Sequence, residues 1–248
     1  MSVLIAHISD LHLDGTEETT RRATRTVDHL RSLHRSPDLL VVSGDIADHG
    51  APEEYEQAAA LLDLPFPVLA CPGNHDDRAA LRSGLLGRDP SDGPVDTEHR
   101  GTGFAVLACD TSIPGRDDGH LETETLERVR RTLDELPEDV PILLAMHHPP
   151  VRLHHPLPDR LALDNVEDLV ALLEEHPRVV GILAGHAHTG AAATLAGRPV
   201  LVAPGVTSTL SMPWETEEAR AVRTRPPGIA FHVLAEDASL TTHFRSVP

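Results

Sequence analysis

Six short apolar runs, Val3 to Ile8, Leu39 to Val42, Pro67 to Ala70, Phe104 to Cys109, Ile142 to Met146 and Val179 to Leu183, constrain this chain more than any other feature. None alternates with polar residues, so each reads as a strand buried on both faces. Helical spacing fills most of the gaps. Ala23, Val27 and Leu30 follow Thr16 and the acidic pair Glu17 and Glu18, a suitable helix start. Pro52 opens a second helix carrying Tyr55, Ala59 and Leu62. Leu126, Val129, Leu133 and Leu136 form a third stripe, and Val166, Leu169, Val170 and Leu173 a fourth that Pro177 stops. Alternating strand and helix predicts an α/β fold. Beyond Gly190 the segments Ala191 to Leu195, Pro199 to Ala203, Gly228 to Leu234 and Leu240 to Phe244 read as antiparallel strands of a second sheet. Gly84 to Gly101 and Leu210 to Pro227 read as loops. The latter holds Trp214, Arg220, Arg223 and Arg225, which suit either a substrate or dimer contact or a solvent-facing loop. No linker divides residues 1–248, so one domain is expected.

Charge limits the partners. With 21 Lys+Arg against 39 Asp+Glu the net charge is −18, which repels a phosphate backbone and argues against long nucleic acid. All the basic residues are arginine. No apolar run approaches the roughly 18 residues of a membrane helix, and Met1 to Asp10 lacks the pattern of a signal peptide, so no integral membrane segment and a cytoplasmic location are expected. Cys71 and Cys109 are then reduced strand residues rather than a disulfide.

The strand ends carry the chemistry. Asp10 and His12 follow the first run, Asp45 the second, Asn74 and His75 the third, His147 the fifth, and His186 and His188 the sixth. Ligands bind beyond the carboxyl ends of strands in such sheets, so these donors from distant positions can converge there. Seven oxygen and nitrogen donors suit two metal ions, and the mixture of carboxylate, amide and imidazole fits Mn, Fe, Zn or Co better than Ca or Cu(I). His7, His148, His154 and His155 read as structural, His148 because adjacent strand residues face opposite sides. Asp76 reads as a local turn former.

Asp10-Leu-His12, Gly44-Asp45, Gly73-Asn74-His75-Asp76, His147 and Gly185-His186-Ala187-His188 resemble, in order, the five motifs of the calcineurin-like metallophosphoesterases. Asp110-Thr111, Pro114-Gly115, Gly119, His147-His148-Pro149-Pro150, Gly197-Arg198-Pro199-Val200 and Ala203-Pro204-Gly205 resemble the class III cyclic nucleotide phosphodiesterase branch. The resemblance implies a four-layer α/β/β/α sandwich of two mixed sheets flanked by helices. It assigns Asp10, His12 and His188 to a first metal and Asn74, His147 and His186 to a second, bridged by Asp45. Two divalent or mixed-valence ions, Fe and Mn foremost with Zn or Co as alternatives, would lie about 3.5 to 4 Å apart and share a hydroxide that attacks phosphorus in line. His75 would contact substrate with Asn74 and protonate the leaving group, with Asp48 orienting His75.

The function implied is hydrolysis of a cyclic nucleotide, 3′,5′-cAMP in first place. The same core in similar proteins serves 2′,3′-cyclic nucleotides, glycerophosphodiesters and phosphomonoesters. A nuclease would need a basic channel, which the charge disfavours. A non-catalytic scaffold would have lost ligands, and all seven are present. Similar phosphodiesterases dimerise, so a homodimer is expected.

Overall fold

The computed structural model describes residues 2–217 and 220–248. A first sheet, in the order β13-β12-β1-β2-β3, joins β1 (Val3–Ile8), β2 (Leu39–Ser43) and β3 (Val68–Cys71) in parallel. Here β12 (Gly228–Leu234) and β13 (Leu240–Ser246) add antiparallel. A second sheet, in the order β4-β5-β6-β7-β9-β8, has parallel β5 (Phe104–Ala108), β6 (Ile142–Ala145), β7 (Val179–Ala184) and β9 (Arg198–Val202). Antiparallel β4 (Thr97–Gly101) and β8 (Ala191–Leu195) form its edges.

Alternation assigns each layer. Ala6, Ile8, Leu40 and Val42 face outward from the first sheet onto Ala23, Val27 and Leu30 of α1 (Glu17–Arg31) and Tyr55 and Ala58 of α2 (Pro52–Leu61), with Leu81 of α3 (Arg78–Gly84). Leu107, Leu144 and Ile182 face α4 (Thr123–Glu135) and α5 (Val166–Glu175) on the far side. Ile5, Val41, Val106, Leu143 and Leu183 fill the space between the sheets. The result is the expected four-layer sandwich of two mixed sheets. Because both faces of β2, β5 and β6 are covered, those strands are unbroken apolar runs. No helix among the described residues is long and apolar enough to cross a membrane.

Three expectations change. The late segments do not share a second sheet: β8 and β9 extend it, while β12 and β13 complete the first, because β12 pairs with β1 through Val3–His7. Gly84 to Gly101 is not wholly loop, since Thr97–Gly101 forms the edge strand β4, whose Glu98 and Arg100 leave it without an apolar run. Leu210 to Pro227 contains a small hairpin, β10 (Thr209–Leu210) against β11 (Ala221–Val222). Buried Arg22 fixes its base, donating to the carbonyls of Val206 at 2.9 Å, Arg223 at 2.6 Å and Arg225 at 2.9 Å.

Between the sheets, fully buried His7 and His232 are hydrogen-bonded to each other at 3.1 Å. Their other ring nitrogens reach Ser43 Oγ and Thr242 Oγ1, both at 2.8 Å. Burial holds His7 well below its ordinary pKa and pushes His232 down to about 3. The unfolded imidazoles protonate below about 6.5, so between there and pH 3 the unfolded chain binds more protons and stability falls as pH falls. Urea unfolding at pH 7.5 and pH 5 should show this: His7→Gln/His232→Gln should lose less of its midpoint on acidification than the parent protein. Equal losses would locate the acid sensitivity elsewhere.

Candidate metal centre

The residues after β1, β2 and β7 leave their strands in the left-handed backbone region. Positive φ is found at Asp10 (58°), His12 (43°), Asp45 (49°), His186 (66°) and His188 (49°), conformations costing a side-chain-bearing residue roughly 1 kcal/mol or more each. They turn five of the seven predicted donors toward one point. Glycine precedes three donors for lack of space: a Cβ at Gly73 would collide with the Asp45 carboxylate, one at Gly44 with the His147 ring, and one at Gly185 with Ser9.

Two rows of side chains cross the site. In one, Asn74 Oδ1 lies 3.1 Å from His147 Nε2, which lies 3.2 Å from His186 Nδ1. In the other, the His75 and His12 ring centroids are 4.6 Å apart, and His12 Nε2 is 3.1 Å from His188 Nε2. Asp45 sits between the rows, its Oδ2 3.4 Å from His12 Nε2 and 3.3 Å from His147 Nε2. One atom from each of Asp10, His12, Asp45 and His188 lies within 4.8 Å of the others.

The surroundings fix which imidazole nitrogen faces inward. His147 Nδ1 donates to the Ser43 carbonyl at 2.7 Å and His12 Nδ1 donates to Asp48 Oδ1 at 2.8 Å, so in the neutral rings both Nε2 lone pairs point at oxygens. A cation shared by these atoms would satisfy both lone pairs and the oxygens they face. Burial alone would depress His147, yet the Asp45 and Asp10 carboxylates and the Ser43 carbonyl lift it to about 9. Burial and the neighbouring His147 push His186 down to about 3, leaving its nitrogen open to a cation. Asp10 Oδ2 is buried without a hydrogen-bond partner. These residues fit divalent metal ions.

All nine predicted site residues gather here, with one refinement. The Asp48 carboxylate belongs to His12; it lies 3.6 Å from His75 Nδ1, which instead donates to the Asp48 backbone carbonyl at 2.8 Å. His148 does not face away from His147, because the strand ends at Ala145; its ring packs edge-on to His147. Its nitrogens are both engaged, Nδ1 by Thr111 Oγ1 at 2.8 Å and Nε2 by the Asp117 carbonyl at 3.2 Å. Asp76 accepts from Gly73 N within its turn, as expected, but also from the backbone of Ile46 and Ala47 and from the Tyr55 hydroxyl, so it ties this turn to the loop after β2 and to α2 as well. Sequence reasoning missed Ser43, which acts through its backbone carbonyl at the end of β2, and Ser208, hydrogen-bonded to His188 Nδ1 at 2.7 Å, because a lone serine beside a strand end carries no distinguishing pattern.

Two metal measurements follow. Element analysis after gel filtration from Mn-supplemented buffer should give two equivalents in the parent protein and no more than one in Asp45→Ala. Asp48→Ala, which frees His12 Nδ1, should weaken metal retention about 10- to 100-fold in a chelator competition. An unchanged affinity would show that Asp48 does not orient His12.

Comparison with known proteins agrees with this geometry. Residues 3–190 match the family model described as calcineurin-like phosphoesterase. A probable cyclic nucleotide phosphodiesterase from Rhodococcus erythropolis is 35% identical over 210 residues, 80% of this chain and 69% of that protein. A glycerophosphodiester phosphodiesterase from Enterobacter lignolyticus is 36% identical over 200 residues, 75% of this chain and 71% of that one. A dimetal phosphatase from Danio rerio shares the fold over 99% of both chains, with a TM-score of 0.68 and 16% identity. With its motifs, its fold and these relatives in agreement, the chain belongs to the calcineurin-like phosphoesterase family.

Proposed function

We propose that this protein is a metal-dependent phosphodiesterase of small, singly charged diesters, with 3′,5′-cyclic AMP as the first substrate and glycerophosphodiesters or 2′,3′-cyclic nucleotides as the alternative. The observation that carries the reading is the pair of Nε2 lone pairs of His12 and His147 held against the Asp45 carboxylate by fixed Nδ1 hydrogen bonds. Asp10, His12, Asp45 and His188 would hold one ion, and Asn74, His147 and His186 with Asp45 the other. Two such ions, Fe or Mn in first place, would lower the pKa of a shared water and offset phosphoryl charge.

The chain's own residues do the rest. His75 donates Nδ1 to the Asp48 carbonyl, which leaves Nε2 to hold a proton for the departing alkoxide. Its side chain is 40% exposed at the cleft, so it can meet substrate. Asn74, whose Oδ1 lies 3.1 Å from His147 Nε2, would orient the phosphoryl group. Among relatives, one named for cyclic nucleotides and one named for glycerophosphodiesters stand at nearly equal identity, which favours a broad substrate range over a single nucleotide.

Mn-supplemented turnover of 3′,5′-cAMP, 2′,3′-cAMP, glycerophosphoethanolamine and bis(4-nitrophenyl) phosphate tests this. Asn74→Ala should lose at least 100-fold in kcat/KM, and His75→Ala about 10²- to 10⁴-fold in kcat on alkyl esters. The loss in His75→Ala should be smaller on the nitrophenyl ester, whose leaving group needs no proton. Turnover of the nitrophenyl ester alone would remove the cyclic nucleotide assignment, and no turnover with metal bound would remove the phosphodiesterase reading.

A further inference from the structure

Two cavities open on the metal centre from opposite ends of the donor rows, and their chemistry differs. The rows run from Asn74 through His147 to His186, and from His75 through His12 to His188. The cavity at the first end, about 270 Å³, is bounded by the polar residues Asn74, His75, Asp77, Asp92 and Ser112 and also by Ile113 and Pro114. The cavity at the other end, about 170 Å³, is bounded by His186 and His188 and by Leu157, Leu161, Leu210 and Ala221. A phosphoryl group between the rows would direct one ester arm into each.

Both cavities are held by their own supports. Arg78 is buried and ion-paired with Asp110 at 2.8 Å and Glu122 at 2.9 Å, and it donates to the Ser112 carbonyl at 2.7 Å, fixing the polar wall. On the apolar side His155 Nδ1 accepts from Leu157 N at 3.2 Å, so its Nε2 donates to the Ser211 carbonyl at 3.1 Å. That joins the Leu157–Leu161 wall to the β10–β11 hairpin, whose base Arg22 clamps. Leu210 N donates to the His188 carbonyl at 3.0 Å, tying the hairpin to the donor row. Two arginines of this segment are already ion-paired, Arg225 with Glu215 and Arg223 with Glu18.

Size and charge define the arms. The apolar cleft, about 170 Å³ and open to solvent along Leu157, has room for one ring or a short alkyl chain laid against its leucines. The polar cavity presents the Asp77 and Asp92 carboxylates, which accept from hydroxyls and repel a second phosphate or a carboxylate. His75, the proposed proton donor, lies on that polar side.

We propose that the enzyme cleaves unsymmetrical acyclic phosphodiesters, the glycerophosphodiester class of the reading above, with fixed regiochemistry: an apolar, ring-sized arm seated against Leu157, Leu161, Leu210 and Ala221 stays on phosphorus, and an uncharged hydroxylated arm beside His75 leaves. The inference rests on the phosphodiesterase reading above. Water supplies the new P–O bond; the bond to the hydroxylated arm breaks, its electron pair stays on the alkoxide oxygen, and His75 protonates that oxygen. The proton that water gives up on joining phosphorus restores His75. The products are a free polyol and the monoester of the apolar alcohol.

Benzyl glyceryl phosphate tests the assignment, with bis(4-nitrophenyl) phosphate as the control diester. Chromatography should find glycerol and benzyl phosphate exceeding benzyl alcohol and glycerol phosphate by at least tenfold; equal or reversed ratios overturn the proposal. Calorimetry provides a readout without turnover: benzylphosphonate should bind the Mn-loaded protein at least tenfold more tightly than methylphosphonate. Ala221→Phe, which fills the cavity, should collapse both ratios toward one, and Leu161→Asn serves the same purpose should the first variant fail to fold. Retention of both ratios in a folded variant overturns the assignment. If neither diester is cleaved, the phosphodiesterase reading fails, while the phosphonate comparison still decides whether the apolar cavity takes a ring.

Discussion

Everything at the centre depends on the Asp45 carboxylate meeting two imidazoles whose protons have been assigned elsewhere. Ser43 offers its carbonyl to His147 Nδ1 and Asp48 its carboxylate to His12 Nδ1, so both Nε2 lone pairs converge on Asp45 Oδ2, beside the rings of His186 and His188. Against the effect of its burial, the Asp45 and Asp10 carboxylates and the Ser43 carbonyl lift His147 to about 9. A site that attracts protons in this way equally attracts cations, since both answer the same buried negative potential. The left-handed turns at Asp10, His12, Asp45, His186 and His188 are the conformational cost, borne by backbone held between two covered sheets.

Support for the centre comes from residues remote from the reaction. Ser43 serves twice: its carbonyl orients His147 while its hydroxyl meets His7, and through His7 and His232 the network reaches Thr242 on β13. The strand that closes the first sheet is therefore connected to a donor by hydrogen bonds as well as by register. Ser208 does the corresponding work for His188, and because it precedes β10 the same segment that orients a donor also lines the apolar cavity. Arg22, from the first helix, stabilises that segment through three carbonyls. Positioning by rigid elements of this kind is what holds reacting groups within the tolerances catalysis needs.

Much of this was legible in the sequence because parallel strands covered on both faces must be apolar throughout, and donors at their ends then stand out against the runs before them. Asp45 after Leu39–Ser43 and His147 after Ile142–Ala145 are the clearest cases. Of the edge strands, β3, β8 and β13 were legible and β4 was not, for the converse reason. β4 buries only Thr97 fully and carries Glu98 and Arg100, so it offers no run, and nothing local told β12 to join β1 instead of β9. Roles divided between backbone and side chain were also hidden. Asp48 was visible as a residue, but that its carboxylate serves His12 while its carbonyl serves His75 depends on a turn that spacing does not encode.

The protein's charge takes a different meaning beside this geometry. A net charge of −18 repels any anion at long range, and the Asp77 and Asp92 carboxylates extend that repulsion to the lip of the cleft. Exposed charges are screened within about 8 Å at physiological ionic strength, whereas ions at a buried centre act in a low dielectric and are screened much less. Attraction therefore dominates only for a phosphoryl group that reaches the donor rows, and each additional negative charge left in the cleft meets the Asp77 and Asp92 carboxylates, since Arg78 beside them is already paired with Asp110 and Glu122. A compact diester with one negative charge gains the central attraction and suffers the least peripheral repulsion. Surface charge and cavity chemistry thus select the same kind of molecule that the metal centre is built to cleave.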